Sequence, residues 1–299
     1  MTNPAFSPIY ETVERDAARP LIELALREDL HDAGDLTCRA LIEPDETAEV
    51  QVTARQSGVL SGGPVAQTVF EVLDQQVRWQ TLTPDGHSVS PGQAVATVSG
   101  PLRSLLSGER TALNFLTHLS GIATLTSRFV KAVEETNAKI LDTRKTHPGY
   151  RVLEKYAVRC GGGHNHRIGL YDGCLIKDNH LAAWSSHHPG STIADAVRQS
   201  RERLGPKVPI EVEVDTLKQL ADALDGDPEI ILLDNMVPTE LRAAVEMRNE
   251  HGSRTLLEAS GGVTLHTVKA IAETGVERIS IGGLTHSAIA LDLAFDWVS

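Results

Sequence analysis

The stretch PIEVEVDTLKQLADALDGDPEIILLD, residues 209–234, holds two short apolar runs, each ending in a carboxylate, with a helical pattern between them. In Ile210-Glu211-Val212-Glu213-Val214-Asp215 apolar and acidic residues alternate. That is the period of a strand, and it places Glu211, Glu213 and Asp215 on one face. Thr216 opens a helical segment running to Leu224 and is its expected N-cap, since its hydroxyl can accept a hydrogen bond from a first-turn N–H. Asp215 belongs to the entry of that helix. Ile230-Ile231-Leu232-Leu233 reads as a second strand, and Asp234 ends it. Strand, helix, strand in this order is the repeat of an α/β protein with a parallel sheet.

The same texture extends in both directions. Strands are expected at 139–142, 174–177, 209–214, 230–234, 255–259 and 278–281, and helices at 192–204, 216–224, 239–250 and 265–274. Six strands fall short of the eight of a closed TIM barrel, which leaves an incomplete barrel or an open doubly wound sheet. The barrel is favoured because nearly every strand ends in an ionisable or glycine-rich group, so several strands aim chemistry at one rim. Upstream, residues 47–100 give short strands at 48–54, 77–82 and 94–98, turns at Pro84-Asp85-Gly86 and Pro91-Gly92, and a helix at 64–73. This is a small α+β domain. Between the two, 102–135 carries Leu105, Leu106, Leu113, Leu116 and Leu119 near helical spacing, with Gly108 and Gly121 as expected breaks. Residues 184–190 read as a loop.

A chain of 299 residues with 41% hydrophobic composition fits two domains. Cys38, Cys160 and Cys174 form no CxxC pair and no even-numbered framework, which points to buried free thiols in a reducing compartment. No apolar run approaches the roughly 18 residues that span a bilayer, so a cytoplasmic protein without membrane contact is expected. The net charge is -12, yet Lys139, Arg144, Lys145, Arg151, Lys155, Arg159, Arg167 and Lys177 crowd the stretch to His180 against only Asp142, Glu154, Asp172 and Asp178. A local cationic site in an acidic protein suits a small, multiply anionic ligand. It does not suit nucleic acid, which wants a broad basic face.

Arg144 and Lys145 follow a strand directly, flanked by Thr143 and Thr146, and can clamp an anion. Gly161-Gly162-Gly163 lets backbone approach closely. His164 and His166, with His147 and His180, offer imidazoles but no ligand set with a recognised zinc spacing. His166 and Arg167 are read instead as further donors to the anion site and His164 as structural. Lys177 ends its strand and needs a counter-charge, for which Glu211, Glu213 and Asp234 are candidates. Glu213 and Asp234 can also accept from ribose hydroxyls or hold Mg²⁺ through water. Ser260-Gly261-Gly262 and Gly282-Gly283, after the last two strands, are placed as phosphate-binding loops are placed in TIM-type barrels, with His286 close by.

These residues together resemble the quinolinate phosphoribosyltransferase family, also called nicotinate-nucleotide pyrophosphorylase (carboxylating). The resemblance runs from Arg27-Glu28-Asp29-Leu30 and Gly34-Asp35-Leu36-Thr37, through Gly108-Glu109-Arg110-Thr111-Ala112-Leu113-Asn114 and Leu119-Ser120-Gly121-Ile122-Ala123-Thr124, to Leu284-Thr285-His286-Ser287. Its most specific strings are Thr143-Arg144-Lys145-Thr146, Cys160-Gly161-Gly162-Gly163 and Leu175-Ile176-Lys177-Asp178-Asn179-His180. His31, His147 and Tyr150 depart from the family pattern. The resemblance implies a small N-terminal open-faced α/β sandwich domain at 1–120, with the tail 287–299 packing back on it. It implies an incomplete TIM-like barrel of six or seven strands at 121–286.

It further implies a Mg²⁺-dependent enzyme that joins quinolinate to 5-phosphoribosyl-1-pyrophosphate and releases pyrophosphate and CO₂, giving nicotinate mononucleotide for NAD synthesis. Thr143, Arg144, His166, Arg167 and Lys177 would receive quinolinate, with Lys145 nearby. Glu213 and Asp234 would serve ribose and metal. Ser260, Gly261, Gly262, Gly282, Gly283 and His286 would take the 5-phosphate. Lys145, Glu213 and Asp234 are the expected catalytic groups, and Arg110 would be donated across a homodimer. Two alternatives remain open at this point: a nicotinate-using or molybdenum-associated relative that keeps the fold but does not decarboxylate, and a sensor or carrier of a phosphorylated metabolite.

Overall fold

The computed structural model describes residues 9–297. In chain order its elements are α1 (Thr12–Leu30), α2 (Leu36–Leu41), β1 (Thr47–Ala54), β2 (Gly58–Val59), α3 (Gly63–Leu73), β3 (Arg78–Thr81), β4 (Ser88–Val89), β5 (Ala94–Pro101) and α4 (Leu102–Ala132). They continue with β6 (Lys139–Leu141), α5 (Arg151–Cys160), β7 (Cys174–Ile176), α6 (Asp178–Ser185), α7 (Ile193–Leu204), β8 (Ile210–Val214), α8 (Leu217–Leu224) and β9 (Ile230–Asp234). The last are α9 (Pro238–His251), β10 (Leu256–Ser260), α10 (Val268–Ala272), β11 (Arg278–Ser280), α11 (Gly283–His286) and β12 (Leu293–Trp297).

The chain forms two compact units. Unit 1 comprises Met1–Ser127, Lys145–Gly163 and Gly283–Ser299, and unit 2 comprises Arg128–Arg144 and His164–Gly282. Where the sequence reading divides at 120/121, the units divide at Ser127 and give α5 to unit 1. Residues 1–8 of the expected N-terminal domain and 298–299 of its expected tail lie outside the described residues.

Unit 1 is built on an antiparallel sheet in the order β12-β1-β5-β3, beside the two-stranded β2-β4 ladder. β12 is the edge strand beside β1, with Val50 opposite Trp297 and Ala54 opposite Leu293. α5 belongs here for identifiable reasons. Its amphipathic face buries Leu153, Tyr156, Ala157, Val158 and Cys160. The Tyr156 hydroxyl donates to Asp85 Oδ2 at 2.9 Å, and Asp85 also accepts from the backbone N–H groups of Gly62 and Gly63 at 2.7 and 3.0 Å. Asp85 thus serves the start of α3 as a remote cap. Burial pushes its carboxyl above the usual range, opposed by those three hydrogen bonds. Arg159 ties α5 to Glu14 of α1 at 2.6 Å.

The expected breaks in α4 do not occur: it is one helix of 31 residues. Its glycines answer a packing demand instead. A Cβ on Gly108 would stand 2.6 Å from the Phe70 ring, and one on Gly121 would stand 2.3 Å from the Ile289 carbonyl oxygen. Helical glycine costs only about 1 kcal/mol against alanine, so close approach outweighs propensity here. The other correction concerns 184–190, where Trp184 and Ser185 are the last turn of α6.

Unit 2 holds a six-stranded parallel sheet in the order β6-β11-β10-β9-β8-β7. From β7 to β11 each strand lies beside its predecessor in sequence, and β11 then pairs with β6, the first. A doubly wound sheet would reverse order at a switch point. The order is therefore that of a barrel, left open between β7 and β6 among the described strands. At the β6 edge His164 forms a parallel bridge with Leu141, its N–H donating to the Ile140 carbonyl at 2.8 Å. That single bridge stands where a seventh strand would run. On β8, Ile210, Val212 and Val214 are buried, and the Thr216–Gln219 capping box starts α8 as expected.

Replacing Gly121 with alanine is expected to destabilise the protein by about 2 kcal/mol or more, because the new methyl meets backbone that cannot rotate away. Urea denaturation followed by circular dichroism measures it; an unchanged midpoint would mean that the helix and the Ile289 segment slide apart freely.

Candidate active site

Parallel register sets the site in unit 2. Glu213 pairs with Leu232, Asp234 with Ser260 and Leu141 with Ser280. The strands consequently end together, and Thr143 and Arg144 after β6, Lys177 after β7, Glu213 and Asp234 on β8 and β9, and Ser260, Gly261 and Gly262 from β10 all fall at the C-terminal end of one sheet. Gly282 follows β11 at the same end. Lys145, Gly283, His286 and Arg110 lie in unit 1. There Thr285 Oγ1 donates to the Lys145 carbonyl at 2.6 Å, and Arg110 is exposed on α4.

Lys177 Nζ meets Glu213 Oε2 at 2.5 Å, the counter-charge that a strand-end ammonium requires. Arg167 is held by its own loop: its guanidinium donates to the Gly173 carbonyl at 2.8 Å. At the β9 and β10 ends the loops are stitched by Asn235. Its N–H donates to the Ser260 carbonyl at 2.8 Å, and its amide donates to Asp234 Oδ2 at 2.7 Å. Asn235 itself adopts φ 56, a left-handed conformation that asparagine tolerates. Gly261 (φ 97) is irreplaceable in this arrangement, since a Cβ would lie 2.1 Å from Asn235 Oδ1. Gly262 also has positive φ, with open space where its Cβ would be.

Beneath this end lies a buried cluster that the sequence reveals only in part. His166 Nε2 stands 3.0 Å from Glu211 Oε2 and 3.5 Å from Glu258 Oε1. Arg278 Nε donates to Glu258 Oε2 at 2.6 Å. Glu211 therefore takes a histidine where the sequence suggests a lysine, and Glu258 and Arg278 are members that the sequence reading misses. The one signal for them is Glu258, alone inside the apolar run Leu256-Leu257-Glu258-Ala259, in register with Leu232 and so on the Glu213 face. Burial, and then the charge of Glu211, push the Glu258 carboxyl upward against the pull of His166 and Arg278. For His166 burial works downward, but its hydrogen bond to Glu211 and the two carboxylate charges prevail and raise it. His164, by contrast, is exposed and lowered by partial burial and by Lys139 and Arg278. Its backbone role at the sheet edge fits the structural reading.

Cys38 and Cys160 are buried free thiols, and Cys174 is half-buried. Burial raises Cys160 and Cys174 and takes Cys38 to about 11, which suits inert rather than nucleophilic cysteines. Among the described residues no helix is long and apolar enough to cross a membrane.

An incomplete α/β barrel with cations, carboxylates and a glycine-lined loop at one sheet end defines a class of phosphate-handling barrel enzymes. Comparison with known proteins narrows it. Family models of the quinolinate phosphoribosyl transferase C-terminal and N-terminal domains match residues 122–296 and 35–120. A nicotinate-nucleotide pyrophosphorylase [carboxylating] of Mycobacterium leprae is 44% identical over 285 residues, covering 95% of this chain and 98% of that protein. A probable counterpart from Bacillus subtilis is 41% identical over 263 residues, 88% of each chain. The crystal structure of NadC from Streptococcus pyogenes superposes with a TM-score of 0.88 at 36% identity, over 97% of this chain and 99% of that one. The chain belongs to the quinolinate phosphoribosyltransferase family.

The buried cluster carries a pH signature. A carboxyl or imidazole raised by folding stabilises the protein below its unfolded pKa and loses that contribution as pH rises through the folded value. The reference values are 4.5 for Glu258 and 6.5 for His166. Stability is thus expected to fall as pH rises above these values, and Glu258→Gln to flatten the decline. Urea midpoints across pH for both proteins decide it; parallel curves would show that Glu258 titrates normally.

Proposed function

We propose that this chain joins quinolinate to 5-phosphoribosyl-1-pyrophosphate and decarboxylates the adduct, yielding nicotinate mononucleotide, pyrophosphate and CO₂ for NAD synthesis. The observation that carries the reading is the single sheet end in unit 2 that gathers Arg144, Lys177, Glu213, Asp234 and the Gly261-Gly262 loop. A dicarboxylate needs more than one cation, whereas nicotinate needs fewer. That difference favours quinolinate over the monocarboxylate alternative, and a carrier would have no use for Glu213 and Asp234 beside the phosphate loop.

Thr143, Arg144, His166, Arg167 and Lys177 receive quinolinate, Lys145 assists, and Ser260, Gly261, Gly262, Gly282, Gly283 and His286 take the 5-phosphate. The pyridine nitrogen attacks the anomeric carbon as pyrophosphate departs, through a transition state with oxocarbenium character. Alignment and placed charge then carry the rate. Glu213 and Asp234 stabilise positive charge developing on the ribose. Once the ring nitrogen is cationic, its charge stabilises the electron pair left at C2 as CO₂ leaves, and a proton from water then takes that position.

Mg²⁺ fits the donor set. Glu213 is held by Lys177 through one oxygen and Asp234 by Asn235 through one, so each keeps a second hard oxygen for the water shell of the ion. When bound, Mg²⁺ offsets the charge of the pyrophosphate. The clamp is divided: Arg partners hold the C3 carboxylate, and the looser Lys partners hold the C2 carboxylate, since a tightly held C2 group would be stabilised in its ground state. Lys177, already engaged with Glu213, suits the looser grip. Exposed Arg110 acts in a homodimer, in the partner's site. The protein works in the cytoplasm.

Purified protein given quinolinate, 5-phosphoribosyl-1-pyrophosphate and Mg²⁺, with nicotinate in parallel, is expected to release CO₂ and form nicotinate mononucleotide only from quinolinate. Turnover of nicotinate without CO₂ release would overturn the assignment. Arg144→Ala is expected to raise KM for quinolinate about tenfold or more, while Lys145→Ala lowers kcat more than it raises KM; equal effects on both constants would refute the division. Mixing inactive Arg110→Ala with inactive Asp234→Asn should restore about a quarter of wild-type activity through hybrid dimers. Mixtures as inactive as their components would place Arg110 in its own subunit's chemistry.

A further inference from the structure

A second cluster of ligand-type side chains lies in unit 1 and contains none of the groups assigned above. Glu154, in the first turn of α5, is fully buried, and its Oε1 receives two imidazoles: His118 Nε2 at 2.9 Å and His147 Nδ1 at 2.6 Å. Its Oε2 accepts the His147 backbone N–H at 3.2 Å. The two nitrogens and a carboxylate oxygen all lie within 4.8 Å of one another. We infer that His118, His147 and Glu154 form a binding site for a divalent transition metal of the Zn²⁺ type.

Donor chemistry comes first. Two imidazoles and one carboxylate are a recurrent three-ligand set for zinc, which leaves the fourth position to water. Geometry comes next. Around a tetrahedral ion with bonds of about 2.0–2.2 Å the donors stand roughly 3.4 Å apart, so the contacts of His118 and His147, at 2.9 and 2.6 Å, need to open by about 0.5 and about 0.8 Å. The movement is available, because the His147 side chain is 54% exposed and that of His118 27%. The same exposure supplies an entry path and a place for the water. Each ligand is also held in orientation. Phe115 stacks on Tyr150 at 5.7 Å, the Tyr150 and His118 rings meet edge-on at 5.9 Å, and His118 meets His147 edge-on at 5.3 Å. Glu154 is fixed by its helix. Supported ligands of this kind bind metal without a large ordering cost.

On binding, each ring nitrogen that now donates to Glu154 gives up its hydrogen, to the other ring nitrogen or to solvent, and its lone pair goes to the metal. The His166, Glu211 and Glu258 cluster is the other group of this composition among the described residues. It differs in being nearly closed to solvent and in having Arg278 as a resident cation.

The test uses the full chain stripped with a chelator and titrated with Zn²⁺ alone by calorimetry and Co²⁺ alone by visible absorption. One equivalent is expected to bind, with the Co²⁺ spectrum of a low-coordinate N,O site. His147→Leu, at an exposed position, is expected to weaken binding by about tenfold or more, with an unchanged circular dichroism spectrum. His118→Gln serves as the second variant. Absence of saturable binding, or binding that His147→Leu and His118→Gln leave unaltered, would overturn the site.

Discussion

An acidic strand that faces the inside of a parallel sheet must find its cation there. β8 alternates valine and glutamate; its apolar residues satisfy the helix side, which commits Glu211 and Glu213 to the opposite face, and register adds Glu258 from β10 to that face. Taking several carboxylates out of water costs several kcal/mol each unless hydrogen bonds and opposite charge replace the solvent. Arg278, His166 and Lys177 supply both. The same requirement explains why His166 turns its Nε2 inward and why Lys177 ends its strand where it does. Structure and candidate chemistry draw on one set of charges.

Alternation and strand-end chemistry make unit 2 legible. All six strands are visible because each is an apolar run bounded by polar or glycine punctuation, and α8 is visible through its Thr216 cap. The candidate residues of unit 2 can be gathered because parallel strands end at a common level. What sequence leaves hidden depends on partners remote along the chain. Gly108 and Gly121 read as helix breaks because nothing nearby reveals Phe70 or the Ile289 backbone packed against them. α5 is masked by its charge; the Tyr156, Val158 and Cys160 positions become an apolar stripe only beside the elements that cover them. His118 has an ordinary helical context, and its meeting with Glu154 spans 36 residues.

Glycines do three distinct jobs here. In α4 they permit close packing at regular helical dihedrals. At Gly261 a positive φ and the Asn235 side chain together forbid a Cβ, so the loop following β10 keeps its backbone exposed. After α5, Gly161 brings its chain against the Ala123 carbonyl, where a Cβ would lie 2.4 Å away. Spacing in a sequence does not separate these roles; neighbours do.

The chain passes between the two units at 127/128, 144/145, 163/164 and 282/283, and β12, the last strand, covers the edge of β1, an early one. During synthesis β1 therefore waits with its outer backbone groups unmatched until Leu293–Trp297 has been made. Unit 2 has no such dependence, since its sheet lies wholly within Lys139–Ser280. Its strands can assemble while the amino-terminal sheet is still a ragged half, which makes β12 the closing stitch of the first-made sheet.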